Sequence, residues 1–184
     1  MNFTNAMKTM PPTSLGLSLA ILCIAFISGC KRRSGWYEEA RTRLAAVASE
    51  GTDSTVQRPS ADSTRTTECF FSGGHRTISR DYYRDSRWIG ETVYSRDGRF
   101  ELRREICPTG QTTFEGIFYG GHYYGLSSSW ACGDTLRLDQ EGVRYRDQKV
   151  GTWKIWNDSA KTWKTRDYGH ENLLDSLEAL PLPQ

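Results

Sequence analysis

The chain has 184 residues, of which 12% are aromatic and 25% are charged, and its formal net charge at pH 7 is +2. A chain of this length normally forms a single domain. Because 24 Lys and Arg residues are balanced by 22 Asp and Glu residues, there is no surplus of clustered basic charge of the kind that marks a nucleic-acid-binding protein. We therefore expect no nucleic-acid partner.

The N-terminal segment, residues 1–29, has the order of a secretory signal peptide. Lys8 is followed by an apolar run over residues 15–28 and then by Gly29, which is the charged, apolar and small-residue succession of such segments. The run is shorter than the roughly 20 apolar residues that a membrane-spanning helix needs. A buried core helix is the alternative, but the polar sequence that follows offers it no apolar partner.

The end of this segment, Ile-Ser-Gly-Cys at residues 27–30, resembles the lipobox of bacterial lipoproteins. The resemblance implies that Cys30 becomes the lipid-modified first residue of the mature protein. Several acyl chains give stable membrane anchoring, and the basic residues 31–33 would then lie among anionic headgroups. Since Lys31 stands where an acidic residue retains some lipoproteins at an inner membrane, we expect a cell-envelope protein at the outer membrane, facing the periplasm.

Residues 30–67 are expected to join this anchor to a folded domain. Residues 36–50 are rich in Ala, Glu, Arg and Leu, which favours a short helix. Residues 51–67 are rich in Ser, Thr and Asp and almost free of apolar residues, which is typical of flexible linkers. We expect a domain on such a tether to stand away from its membrane.

Residues 68–169 have the pattern of an all-β domain. Short runs of aromatic and β-branched residues alternate with Gly and Asp turn signals. The clearest signal is Asp97-Gly98, where apolar residues alternate on both sides of a hairpin turn. The pattern predicts a single antiparallel meander of stacked β-hairpins.

The last segment, residues 170–184, is expected to be a short helix followed by a tail. Leu173, Leu174, Leu177 and Leu180 share one face of the predicted helix. We expect this apolar face to cover an open edge of the sheet.

After removal of the signal peptide and lipidation, Cys69, Cys107 and Cys132 remain in an exported, disulfide-permissive compartment. An odd number allows at most one bridge, with three alternative pairings. Cys107 and Cys132 both precede turn signals, so they are expected at the same end of the sheet and form a candidate disulfide. One intervening strand would separate them by roughly 10 Å, which is too far for a disulfide unless the turns curl together.

Residues 106–131 and 132–157 are two copies of one pattern, with the same spacing between glycines and aromatic residues. The identical pairs are Thr109/Thr135, Glu115/Glu141, Gly116/Gly142, Tyr119/Tyr145, Gly125/Gly151 and Trp130/Trp156. We expect each copy to be a hairpin that turns at residues 120–121 or at residues 147–148. The glycines in its arms would leave room for neighbouring aromatic rings, and we expect Tyr119/Tyr145 and Trp130/Trp156 to supply the rings that pack on them.

These two copies resemble MORN repeats, in particular the antitoxin-like variant found in exported bacterial proteins. The second copy carries the resemblance in Glu141, Gly142, Asp147, Gly151, Trp153 and Trp156, and the first in Glu115, Gly116, Phe118, Gly121, Gly125 and Trp130. Ser127 replaces the first Trp of the pattern in the first copy. The resemblance implies a single elongated sheet of stacked hairpins with a scaffold-like role, and it transfers no catalytic residue.

The residues that commonly carry catalysis form no motif. The three histidines have no metal-ligand spacing, and the stretch around Ser127 lacks the glycine of a nucleophile elbow. We expect no catalytic residue, no metal and no cofactor. The alternative is a small envelope hydrolase or transferase on an unrecognised β-fold, with a site centred on His75 or His122 and a neighbouring acid.

The aromatic residues of the repeat region are the sharper candidates for a binding surface. The candidate residues are Tyr119, Tyr123, Trp130, Tyr145, Trp153, Trp156 and Trp163. Rings that fill the face of a thin sheet are the alternative interpretation. Together these patterns predict a lipid-anchored, non-enzymatic interaction or scaffold module of the bacterial cell envelope, which binds a protein or an envelope polymer such as a glycan.

Overall fold

The computed structural model of the protein describes residues 35–84, 87–133 and 135–184. The predicted signal peptide and the lipidation site Cys30 lie outside the described residues, and so does the basic stretch 31–33. Within the described ranges, no helix is long and apolar enough to cross a membrane.

In the part of the chain that the structure describes, ten strands form one antiparallel sheet, and each strand pairs with the next one along the chain. The order of the strands in the sequence is therefore also their order in the sheet. This confirms the predicted single meander, with one short helix before it and one after it in the sequence. The helices are α1 (Gly35–Ala48) and α2 (Asn172–Glu178). The strands are β1 (Ser54–Pro59), β2 (Arg65–Ser72), β3 (His75–Tyr83), β4 (Ile89–Tyr94), β5 (Phe100–Ile106), β6 (Thr112–Tyr119), β7 (His122–Ala131), β8 (Arg137–Tyr145), β9 (Gln148–Asn157) and β10 (Thr162–Asp167).

The expectation of a flexible tether over residues 51–67 is wrong, because β1 and the first residues of β2 lie there. β1 pairs with β2 from Ser54 opposite Phe71 to Pro59 opposite Thr66, and every residue of β1 is exposed. Such a strand is held by the backbone hydrogen bonds of the ladder rather than by burial of side chains. Its polar composition therefore gives no sign of it.

The turn between β1 and β2 is organised by one carboxylate. Ser60 Oγ donates to Asp62 Oδ1 (2.6 Å), and the N–H and hydroxyl of Thr64 donate to the same oxygen (3.1 and 2.8 Å). These hydrogen bonds, the one from Ser60 above all, lower the pKa of Asp62 to about 2. The Ser, Asp and Thr residues that suggest a linker thus supply an ordered turn.

α1 confirms the predicted helix, but it belongs to the core of the folded unit rather than to a tether. Its buried residues are Trp36, Tyr37, Ala40, Leu44 and Val47, a spacing that places them on one stripe of the helix. The stripe packs on the middle of the sheet. The buried sheet residues in this cluster are Val93, Phe100, Leu102, Ile117 and Tyr124.

The two faces of the sheet have different surroundings. Residues opposite each other in neighbouring strands share a face, and the row Val93, Leu102, Ile117 and Tyr124 is the one that packs under α1. We call this side the helix face. The other side, on which no described helix packs, we call the open face.

α2 packs on the helix face, so the expectation that it covers an edge of the sheet is wrong. Leu177 is buried in the same cluster as α1, and the following tail accepts a hydrogen bond from Trp36 Nε1 at the carbonyl of Pro181 (3.1 Å). Among the described strands, β1 and β10 are the two edges, and every residue of each is exposed.

The two repeat copies fold as hairpins that share one irregularity. In the hairpin β6–β7, the three residues 125–127 lie opposite the single residue Gly116. In the hairpin β8–β9, the three residues 151–153 lie opposite Gly142 in the same way. These equivalent bulges show that the sequence spacing corresponds to a repeated backbone geometry.

The turns of the two hairpins also lie at equivalent positions. Gly120 and Gly121 both have positive φ angles (55° and 83°), and so do Arg146 and Asp147 (49° and 68°). Two central residues with positive φ are typical of tight hairpin turns. The second turn therefore begins one residue earlier than the predicted 147–148.

Aromatic rings cover the two bulge glycines, but they belong to Tyr123 and Trp153, at positions that are not equivalent in the two copies, rather than to the expected Tyr119, Tyr145, Trp130 and Trp156. The ring of Tyr123 lies over Gly116, and the ring of Trp153 lies over Gly142, so close that neither glycine has room for a Cβ atom. Gly125 faces the rings of Tyr37 and Trp36 of α1.

The expectation of a ring over Gly151 is wrong. A Cβ atom there would be 3.8 Å from a methyl group of Leu174 in α2 and would have no aromatic neighbour within 4 Å. The positive φ of Gly151 (60°) gives the physical reason for glycine instead, since side chains are disfavoured in that conformation.

Candidate binding surface

The open face carries a row of basic side chains on its last three strands. Register places Arg144 of β8 opposite Lys149 of β9, and it places Lys164 and Arg166 of β10 opposite Ile155 and Trp153 of β9. We call the four basic residues Arg144, Lys149, Lys164 and Arg166 the cationic strip. They come from three strands that only the meander brings side by side.

Three cations of the strip lie over aromatic rings. Lys149 Nζ is 4.1 Å from the centre of the Trp153 ring, and the Arg144 guanidinium carbon is 5.4 Å from it. The Arg166 guanidinium carbon is 4.9 Å from the centre of the Tyr168 ring. Cation–π contact holds these side chains against the sheet. Arg166 is exposed, and Arg144 and Lys149 are half-buried.

No residue of the strip forms an ion pair with a carboxylate within the described ranges. Arg144 Nη1 donates to the carbonyl of Asp147 (2.6 Å), and Lys149 Nζ donates to Gln140 Oε1 (3.0 Å). Like charges directly opposite each other in a sheet repel. An anionic group on this surface would relieve that repulsion.

The helix face is different, because its charges are compensated. One row of directly opposite residues crosses the whole sheet and alternates in sign over much of its length: Gln57, Glu68, Arg80, Glu91, Arg104, Glu115, Ser128, Glu141, Lys154 and Thr165. Within it, Arg104 pairs with both Glu91 (3.2 Å) and Glu115 (2.7 Å). This row supports the fold rather than offering free charge.

α1 completes the row where Ser128 interrupts it. Glu115 has Arg104 opposite it in one neighbouring strand but Ser128 in the other. Arg41 Nε of α1 donates to Glu115 Oε1 (2.6 Å), so the helix supplies a second cation for this carboxylate. Burial alone would raise the pKa of the Glu115 carboxyl, but the hydrogen bonds from Arg41 and Arg104 outweigh it and hold the pKa below its usual value. The interaction ties α1 to the sheet.

A shallow groove of about 530 Å³ lies on the open face over β3 to β6. Arg76 lies over the ring of Tyr94 (3.9 Å) and Arg103 over the ring of Phe118 (3.9 Å). Arg103 also pairs with Glu101 (2.6 Å). Since a carboxylate already neutralises Arg103, this groove has a weaker attraction for anions than the cationic strip.

The structure places the seven predicted aromatic residues in three different environments. Tyr123 and Trp153 are buried, with 4% and 0% of their surface exposed, so their prediction as binding-surface residues is wrong. Burial raises the pKa of the Tyr123 hydroxyl to about 12. The Tyr123 ring lies over the backbone of Gly116 and the Trp153 ring over that of Gly142, beneath Arg144 and Lys149.

The other predicted rings remain at least partly accessible. Tyr119 and Tyr145 are half-buried against the core under α1. Trp130 and Trp156 are half-buried, and Trp163 is 45% exposed. Trp156 and Trp163 pack edge to face, with ring centres 5.3 Å apart, and form an apolar patch on the helix face beside the edge strand.

The histidine proposed for an alternative catalytic site lies at the tip of the repeat hairpins. His122 Nδ1 is 2.8 Å from Asp147 Oδ2, and both side chains are more than half exposed (55% and 56%). The hydrogen bond from His122, together with one from the Tyr123 N–H, lowers the pKa of Asp147. His75 is exposed at the turn between β2 and β3.

The structure joins Cys107 and Cys132 in a disulfide bond, with Cα atoms 6.2 Å apart. β6 begins at Thr112, and the first residue of β6 that pairs with β7 is Phe114. The ends of β5 and β7 thus extend past the paired part of β6 and come together. Cys69 is buried and has a free thiol.

Comparison of the chain with protein-family models, with curated proteins and with solved structures finds no match. The resemblance to MORN repeats therefore rests on the residues of the two copies alone, and it stays a prediction. The shared bulges and turns describe these copies without assigning them to a family.

The sequence-based reasoning missed Arg144, Lys149 and Arg166 as candidate binding residues. Each is separated by many residues from at least one of the others, so no local motif contains all three. Alternation along each strand gives the only signal: Arg144 follows the core residue Val143, Lys149 precedes the core residue Val150, and each must therefore point to the opposite face.

Proposed function

We propose that the protein is a lipid-anchored, non-enzymatic interaction module of the bacterial cell envelope, which binds a protein or an envelope polymer through its β-sheet. The observation that carries the proposal is the cationic strip, a set of basic side chains on an uncovered sheet face that form no direct ion pair with a carboxylate among the described residues, although Arg144 helps to lower the pKa of the nearby Asp147 carboxyl. Exposed charge held in place in this way favours an anionic partner.

The packing of α1 changes how the anchor is expected to act. Since α1 begins at Gly35, residues 31–34 are all that lies between it and Cys30 in the sequence. A chain of that length spans at most about 18 Å between the two Cα atoms. We therefore propose that lipidation at Cys30 holds the sheet close to the membrane surface, in place of the long tether expected over residues 51–67.

The disulfide bond supports an exported location. Disulfide bonds persist in oxidising compartments and are rare in the cytosol. The bond between Cys107 and Cys132 agrees with the secretory signal peptide and lipobox predicted for residues 1–30.

The alternative function, a small hydrolase or transferase, has the His122–Asp147 pair in its favour. Asp147 Oδ1 also accepts the Tyr123 N–H (2.9 Å), which connects the turns of the two hairpins. A structural role therefore explains this pair directly. Loss of an envelope hydrolase activity in a His122→Ala variant of unchanged stability would favour the enzyme instead.

Two measurements test the proposed module. Replacing Cys30 by Ser should release the protein from the membrane fraction or leave it unprocessed. Unchanged fractionation together with an unchanged mass would contradict lipidation at Cys30. The full chain used as bait in an envelope extract should capture a discrete partner. An Arg144→Glu/Lys149→Glu variant should lose that partner, while the exposed control variant Arg58→Glu should keep it.

A further inference from the structure

The edge strand β10 combines three features that point to one kind of ligand. It is the last strand of the sheet, every residue is exposed, and its two faces differ chemically. Register places Lys164 and Arg166 on the open face and Trp163 on the helix face. One side of its backbone therefore has no strand partner among the described residues.

We propose that β10 takes up an extended acidic segment of a partner protein, which adds to the sheet as a further strand. The segment would have acidic residues at two alternate positions, with an apolar residue next to the acid that faces Lys164. This inference rests on the proposed function, since it names the partner of the same surface. An exposed sheet edge is a ready template for pairing with a strand of another chain.

The alternation follows from the geometry of the strand. Lys164 and Arg166 lie two positions apart, so they point to the same face and are separated by about 7 Å along the strand. Two carboxylates at alternate positions of an added strand have the same separation. They would face Lys164 and Arg166, with Lys149 in the next strand adding to the positive field on that face.

The residue next to the acid that faces Lys164, on the side away from the second acid, points to the helix face. There it would lie beside the exposed ring of Trp163, which packs against Trp156. An apolar side chain at this position would extend the existing aromatic pair. The edge therefore specifies two acids at alternate positions, flanked by an apolar residue, rather than negative charge alone.

The same lysine and arginine explain why the edge would be selective. Charged side chains on an edge strand discourage pairing with like strands, including a second copy of β10. An acidic strand converts that repulsion into attraction, so specificity comes from the contrast between the two cases. The other edge, β1, offers no such selection, since its side chains are mainly neutral and it ends in Pro59.

The test measures binding of a short dye-labelled peptide, in which glutamate alternates with valine, to the full chain by fluorescence anisotropy. A Lys164→Glu/Arg166→Glu variant should bind about tenfold more weakly, as expected for reversing two cross-strand charge pairs. Arg58→Glu at the opposite edge is the matched control and should bind like the native chain. Thermal melts check that all the variants are folded.

Two further peptides separate strand addition from general charge attraction. A peptide with lysine in place of glutamate should not bind, and a glutamate peptide with N-methylated backbone amides should bind much more weakly than the unmodified one. Equal binding of the methylated and unmodified peptides would overturn strand addition, and so would absence of binding to the glutamate peptide. An envelope partner still captured by the Lys164→Glu/Arg166→Glu variant would overturn this inference while leaving the proposed function intact.

Discussion

The packing of Trp153 on Gly142 gives the sharpest prediction for the repeat. A Cβ atom at position 142 would overlap the indole ring, which is fully buried and donates from Nε1 to the carbonyl of Val143 (3.2 Å). Replacement of Gly142 by Ala must therefore displace the ring. Overpacking costs about 1–3 kcal/mol and the lost hydrogen bond about 1 kcal/mol, so we expect the free energy of unfolding to fall by about 3 kcal/mol.

The measurement is urea unfolding followed by far-UV circular dichroism, which reports mainly on the backbone. Gly51→Ala is the matched control, since a Cβ atom there would have no described residue within 4 Å apart from its neighbours in the chain, and it should change stability by less than about 0.5 kcal/mol. In a Trp153→Ala background, Gly142→Ala should also cost little, because the clash is gone. The same loss in both backgrounds would refute ring packing as the reason for the glycine.

Three other predictions concern the fold. The pKa of Glu115 is lower in the folded state than its unfolded-state value near 4.5. The carboxylate therefore contributes to stability above pH 4.5, and this contribution is lost as the pH falls through the folded-state pKa. Replacement of Glu115 by Gln should flatten that part of the curve of stability against pH. Reduction of the Cys107–Cys132 bond, with a sequence separation of 25, should lower stability by about 3 kcal/mol in urea unfolding, and no change would contradict a structural role. A fragment of residues 68–184 should lack the cooperative thermal melt of residues 35–184, since it omits α1 and β1; equal melts would show that α1 is dispensable.

Much of the fold could be predicted because its signals are local. Asp97-Gly98 lies in the turn between β4 and β5, and the spacing of Gly116 and Gly142 corresponds to equivalent bulges. Turn chemistry and alternation act over a few residues, so the sequence displays them directly. β1 has no such signal, since backbone pairing alone accounts for it.

The sides on which the repeat aromatics lie could not be read from alternation. At each bulge, three residues of one strand lie opposite one glycine, which breaks the simple succession of faces. Trp153 lies within the bulge of β9 and Tyr123 just before the bulge of β7, and both are buried beneath the surface that they were expected to form. Only the pairing register shows this, and register depends on contacts between strands.

The cationic strip could not be predicted from the sequence for a related reason. Arg144, Lys149 and Arg166 come together through the register of three strands, and the unpaired state of their charges depends on where the carboxylates lie. A nearly neutral composition does not show where the charges lie. The strip therefore becomes visible only once the register is known.

The central claim, that the cationic strip is the surface that binds a partner, is tested most directly by cross-linking in intact cells. A photoreactive amino acid at position 144 should give a discrete cross-linked envelope species on irradiation. The same amino acid at position 58, in the edge strand β1, should give none. Cross-linking that is absent at position 144, or equal at both positions, would contradict the account.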